Sequence, residues 1–262
     1  MIGARAQLFE VRRLVQAIQE ETEPARAGRI VVSGMLCEQL ARELAAGAEP
    51  GAVVADATSR VRGAEVLVHV MAGEPSTADE ALVRAADRAG VPVVLVQLWP
   101  QERWTPPFVL TPFVVECRAG EGFPIDDIGR RIADASEHWT DLARRIPVLH
   151  DVVSDKLVGT SVIRAALIGA LGGRKRASRP VLALEQVRTV ARLRSLRAGA
   201  TPQELPALAG AATAALALSY LLREAARRAG GTLPGPLANA AVAAGTTWAL
   251  AEAVRRLKLA PV

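Results

Sequence analysis

Apolar and polar positions switch between two periods along the first half of the chain. Residues 5–21 place Leu8, Val11, Val15 and Ile18 at helical spacing, with Arg12, Arg13, Glu20 and Glu21 outside, and predict an amphipathic helix. Ile30-Val31-Val32-Ser33 is an apolar run closed by Gly34, and residues 35–46 set Leu36, Leu40 and Leu44 on one face before Gly47, which predicts strand, turn and helix. Residues 52–55 predict a short strand, and residues 58–62 a connecting turn or short helix. Residues 63–99 carry the plainest unit. Val66-Leu67-Val68-His69-Val70 reads as a strand buried on both faces, and Thr77-Ala78-Asp79-Glu80 fits a capping box opening a helix that ends at Gly90. Val91-Pro92-Val93-Val94-Leu95-Val96 is the next strand, with Pro92 near its start, where a missing N–H is tolerated. Residues 113–117 predict the last strand. Ile125, Ile128, Ile132, Ala135, Trp139 and Leu142 predict one long helix stopping before Pro147. Such alternation implies an α/β fold with a doubly wound, mostly parallel sheet, because each right-handed crossover lays its helix back on the sheet.

Beyond Pro147 the strand pattern disappears and an all-α region follows. Residues 148–171 predict one or two helices, and residues 180–197 an amphipathic helix bearing Arg188, Arg192 and Arg194. Two uncharged runs, residues 205–222 and 229–251, come next; Gly and Pro confine the helical part of the second to residues 237–251. A spanning helix needs roughly 20 apolar residues, so the pair reads either as buried helices of a small-residue bundle or as a membrane-inserted hairpin. The expected organisation is an N-terminal helix and linker over 1–27, an α/β domain over 28–146 and a basic helical domain over 147–262.

Charge sharpens this division. Residues 1–140 carry 14 Lys/Arg against 20 Asp/Glu, a net −6, whereas residues 141–262 carry 18 against 7, a net +11. The two halves are therefore expected to face different partners. Half of the residues are apolar and 3% aromatic, so the core is expected to be built from Ala, Val and Leu. Cys37 and Cys117 are too few for a disulfide framework, and no signal-peptide pattern opens the chain, from which a reducing cytoplasm is expected. Heavy use of Ala, Arg and Val with little Lys fits a high-GC bacterial genome.

The strand–turn–helix at residues 30–46, the strand Ala64-Glu65-Val66-Leu67-Val68-His69-Val70, residues 79–98 and the Gly120-Glu121-Gly122-Phe123-Pro124 turn together resemble small GTPases of the Era type. In the tail, Leu184-Glu185-Gln186-Val187-Arg188, Leu233-Pro234-Gly235 and Ala244-Gly245-Thr246-Thr247 are similar to the helical, membrane-associated domain of unknown function found behind such GTPases. The resemblance implies a nucleotide crevice at Ser33, Gly34, Gln97 and Trp99. The chemistry of nucleotide binding is missing from it. A phosphate loop needs G-x-x-x-x-G-K-[S/T] to wrap and neutralise the β-phosphate and hold magnesium, whereas Ser33-Gly34-Met35-Leu36 runs straight towards the helix. Residues 56–59 lack the glycine of D-x-x-G. Where the family reads guanine with N-K-x-D, this chain has Gln97-Leu98-Trp99-Pro100. A degenerate nucleotide site is expected, with no catalytic residue, metal or cofactor.

Other candidates are sparse. His69, inside an apolar strand, reads as a core histidine bonded to backbone; His138 and His150 have no carboxylate or cysteine partner at metal-ligand spacing. Ser33 lacks the G-x-S-x-G elbow of a strand-borne nucleophile. Trp99 falls where an open α/β sheet forms its crevice, and reads either as a plug in the vacant site or as a cap on the core.

For the basic tail, the scarcity of aromatics weighs against nucleic acid and for anionic lipid. Arg174, Lys175, Arg176 and Arg179 lie between two predicted helices, and Arg255, Arg256 and Lys258 follow the last uncharged run. Those seven are the expected anionic-surface residues, with a solvated helix face as the plainer alternative. The expected function is a non-enzymatic scaffold or adaptor, a pseudo-GTPase, on the cytoplasmic face of the inner membrane, held peripherally or inserted. The alternatives are a hydrolase with a non-standard nucleotide site and a cytosolic nucleic-acid-binding adaptor. The protein partner is unspecified and homo-oligomerisation is left open.

Overall fold

The computed structural model describes residues 28–56, 61, 63–100, 113–172, 178–198 and 235–256. The expected helix over 5–21, most of the turn at 58–62, the Pro-rich stretch 101–112 and the uncharged run 205–222 lie outside them.

Five parallel strands form one sheet: β1 (Ile30–Gly34), β2 (Val53–Ala55), β3 (Val66–Ala72), β4 (Val93–Leu98) and β5 (Val114–Cys117), in the order β2-β1-β3-β4-β5. Helix α1 (Cys37–Leu44) connects β1 to β2, and α2 (Thr77–Arg88) connects β3 to β4. These crossovers run outward in opposite directions from the β1/β3 pair, so their helices cover opposite faces of the sheet. The sheet is thus doubly wound, with its switch point between β1 and β3. Val31, Leu67, Leu82 and Ala86 form the core under α2. Helix α3 (Ile125–Ala135) packs against β3, β4 and β5, burying Ile128 and Ile132.

Two local expectations are corrected. The cap of α2 is Ser76 and not Thr77: Ser76 Oγ accepts from the Asp79 N–H at 3.2 Å, while Asp79 Oδ2 accepts from the Ser76 N–H at 2.8 Å. The single long helix expected over 125–142 is two, α3 and α4 (Trp139–Arg145), broken at Ser136, whose backbone is extended. Side-chain bonding accounts for the break, because Ser136 Oγ accepts from the His138 N–H and itself donates to Glu65.

A short 3-10 turn, Pro147–Leu149, leads into α5 (His150–Gly172), followed by α6 (Ser178–Ala198) and α7 (Gly235–Arg256). Helix α7 starts two residues before, and ends five after, its expected span; Pro236 sits in the first turn, where its missing N–H costs nothing. The chain divides into two compact units between Val153 and Ser154, inside α5, a little beyond the expected boundary at 146.

In the helical unit, Leu182 of α6 packs with Ala165 of α5 and Ala243 of α7. Gly169 lets α5 and α7 approach closely, since a Cβ there would stand 2.6 Å from the Asn239 carbonyl oxygen. Gln186 Nε2 donates to Thr246 and Thr247 Oγ1, each at 3.3 Å, and both hydroxyls donate onward to the Ala243 carbonyl.

Candidate functional site

In open α/β sheets ligands bind outside the carboxyl ends of the strands at the switch point, here beyond β1 and β3. Three of the four expected crevice residues are carried there by register. Ser33 and Gly34 pair with His69 and Val70, and Gln97, near the end of β4, pairs with Met71. Trp99 follows β4 directly.

The edge is tightly closed at β1. Gly34 has φ +88°, a conformation that favours glycine, and a Cβ on it would overlap the Val70 carbonyl oxygen. The next N–H, that of Met35, donates to that same carbonyl at 2.9 Å. Only Met35 and Leu36 then separate strand from helix, and Leu36 is itself left-handed at φ 54° with no side-chain cap. A loop that wraps a phosphate presents several consecutive N–H groups to it; here the first of them is spent inside the sheet.

Beneath this edge lies a chain of hydrogen bonds. His69 Nε2 stands 2.8 Å from Asp79 Oδ1, and His69 Nδ1 stands 2.9 Å from Ser33 Oγ. With the carboxylate accepting from Nε2–H, neutral imidazole leaves Nδ1 as an acceptor and the Ser33 hydroxyl donates to it. Burial pushes the Asp79 carboxyl up, but hydrogen bonds from Ser76 and His69 hold it below the ordinary range. Hydroxyl, imidazole and carboxylate in series are the parts of an activated nucleophile. Ser33, however, is 1% exposed, so its oxygen meets no substrate in this conformation. The expectation that His69 bonds to backbone is corrected: both of its nitrogens face side chains.

Gln97 is buried, and its Oε1 has no hydrogen-bond partner among the described residues. Trp99 is 51% exposed with φ 50°, so it fills no cavity and the plug reading is overturned; its N–H continues the ladder to the Cys117 carbonyl at 2.8 Å.

A second polar cluster stands at the opposite edge. Glu65 Oε1 accepts from Ser136 Oγ and from His138 Nδ1, both at 2.9 Å. Burial raises the Glu65 carboxyl, yet the His138 and Ser136 hydrogen bonds and the His138 charge bring it below its usual value. The cluster borders an open groove of about 500 Å³ that Asp87, Pro92 and Glu137 also line. Sequence reasoning missed both clusters, since their partners are 36, 10, 71 and 73 positions apart. One signal was available for the first: a polar residue in a fully covered strand needs a polar partner. Among the described residues no group of His, Cys, Asp and Glu is placed to hold a metal ion.

Of the expected anionic-surface residues, Arg174, Lys175, Arg176 and Lys258 lie outside the described residues, and Arg179 is placed only as part of α6. Arg255 pairs with Asp155 and Glu252, and Arg256 with Glu252 at 2.7 Å, so these two guanidinium groups are engaged within the helical unit. Large apolar side chains do stand exposed on that unit: Ile163, Leu167 and Leu171 along α5, Val181 on α6, and Leu237 and Trp248 on α7. No described helix is long and apolar enough to cross a membrane.

No family model, curated protein or solved structure matches the chain. The fold class, a doubly wound parallel α/β unit followed by helices, is therefore defined by the sheet itself.

Proposed function

We propose that this protein is a non-enzymatic scaffold, a GTPase-like α/β unit without a phosphate loop, held at an anionic membrane surface by its basic helical unit. The observation that carries the first half is the seating of Gly34 against the Val70 carbonyl, which leaves the β1–α1 turn no slack to wrap a phosphate. The parallel sheet, with strand–turn–helix at Ser33-Gly34, supports the reading at the level of an α/β fold class. The second half is supported by exposed apolar residues on the helical unit together with the net +11 charge of residues 141–262, since soluble surfaces rarely leave such side chains grouped.

One observation favours a second reading, a nucleotide hydrolase with a non-standard nucleotide site. The Ser33–His69–Asp79 chain has the connectivity of a nucleophile with its base, and such an enzyme would use it if the edge opened. Equilibrium titration with fluorescent GTP and ATP analogues, with and without magnesium, separates the two. The scaffold reading expects no saturable binding; micromolar, magnesium-dependent binding overturns it.

A further inference from the structure

The contacts within the helical unit fix which helix ends meet. Along α6 and α7, Leu182 packs with Ala243, Gln186 bonds to Thr246 and Thr247, and Val190 packs with Leu250, so these two helices run parallel. Helix α5 runs against both, because its Ala165 packs with Leu182 and Ala243, its Gly169 abuts Asn239, and its Asp155 pairs with Arg255. The C-terminal end of α5 therefore lies with the N-terminal ends of α6 and α7. At that end Leu171 is 86%, Leu237 61% and Val181 52% exposed, each within two residues of a position in the three-helix contact layer. Leu167, one turn back on α5, is exposed too.

The surroundings of this apolar end define its partner. From Gly235 to Ala251 α7 has no ionisable side chain, and from Leu157 to Gly172 α5 has only Arg164. The stretch joining α5 to α6 is Gly173-Arg174-Lys175-Arg176-Ala177, with Arg179 soon after. Apolar side chains next to a run of cations are the composition of an element that seats itself in the headgroup layer of an anionic bilayer. A second copy of this chain is a poorer occupant, because a two-fold contact through this end would bring two such cationic stretches together.

We infer that the end of the helical unit formed by Leu171, Val181 and Leu237 is the part of this protein that enters an anionic lipid surface. The inference rests on the proposed membrane role of the helical unit and adds which residues touch lipid and which way the unit points.

The test exploits the two native cysteines. Cys37 and Cys117 are buried, and burial, with the charges of Glu121 and Glu43, pushes the Cys117 thiol up, so an exposed introduced cysteine is labelled selectively. Full-length Leu171→Cys, Leu237→Cys and Trp248→Cys variants, each carrying an environment-sensitive fluorophore, are mixed with vesicles of phosphatidylglycerol and phosphatidylcholine, and with phosphatidylcholine alone. Emission should brighten and shift to the blue at positions 171 and 237 on the anionic vesicles only, and stay nearly unchanged at 248. The triple variant Leu171→Ser, Val181→Ser, Leu237→Ser should bind about tenfold more weakly while keeping its circular dichroism, as expected for removing surface anchors. If the parent pellets with anionic vesicles but neither label responds, or the triple variant binds as the parent does, the inference is overturned while the membrane reading stands. If the parent fails to pellet, that reading falls as well. A blue shift that grows with protein concentration in the absence of lipid would assign the surface to a second copy and also overturn the inference.

Discussion

His69 Nε2 lies 2.8 Å from Asp79 Oδ1, joining the middle of β3 to the first turn of α2. Asp79 is at once the N3 residue of the Ser76 capping box and the partner of a buried imidazole, so one carboxylate fixes where the helix starts and how it meets the sheet. Ser33, on the other side of the ring, extends the tie to β1.

Removing Ser33 should therefore cost more than a surface serine would. Ser33→Ala leaves His69 Nδ1 buried without its donor, a loss of about 1–3 kcal/mol. Urea unfolding of the parent and the variant measures it; a change near zero would mean that the imidazole finds another partner.

Gly34→Ala tests the closure of the carboxyl edge. Its φ of +88° and the overlap with the Val70 carbonyl predict a destabilisation of about 3 kcal/mol or more, read from the shift in unfolding midpoint.

Trp99 makes the opposite prediction. A half-exposed ring on a left-handed backbone contributes little packing, and glycine adopts φ 50° without strain. Trp99→Gly should therefore change stability by no more than about 1 kcal/mol. A loss of several kcal/mol would show that the ring is buried.

Acid should loosen the α/β unit through Asp79 and Glu65. Both carboxyls titrate below their ordinary range when folded, so their contribution is complete above the unfolded-state pKa near 4 and is lost as pH falls through the lower folded value. Unfolding midpoints should be flat with respect to these two groups above about pH 5 and fall on further acidification. Asp79→Asn should make that fall shallower. An unchanged pH profile in the variant would contradict the role given to the carboxylate.

The sheet was legible from sequence because its strands are continuous β-branched runs punctuated by Gly34, Gly73 and Gly90, each with positive φ. The helix break at Ser136 was not, because the apolar period from Ile125 to Leu142 runs through it and part of the bonding that accounts for it comes from Glu65, 71 positions away. The same holds for the candidate site. The strand pattern puts Ser33, Gly34 and Gln97 near the ends of β1 and β4, whereas the pairing of His69 depends on register and on a cap one residue earlier than the sequence pattern indicated. Exposure of Trp99 was equally hidden, since an aromatic residue at a strand end reads as core until its backbone conformation is known.

Membrane attachment of the helical unit is the central claim, and cell fractionation with sequential washes tests it most directly. The full chain should sediment with membranes at low salt and be released in large part by concentrated salt, because attraction of basic side chains to an anionic surface is screened within a Debye length. Recovery of all the protein in the soluble fraction at low salt would contradict the account.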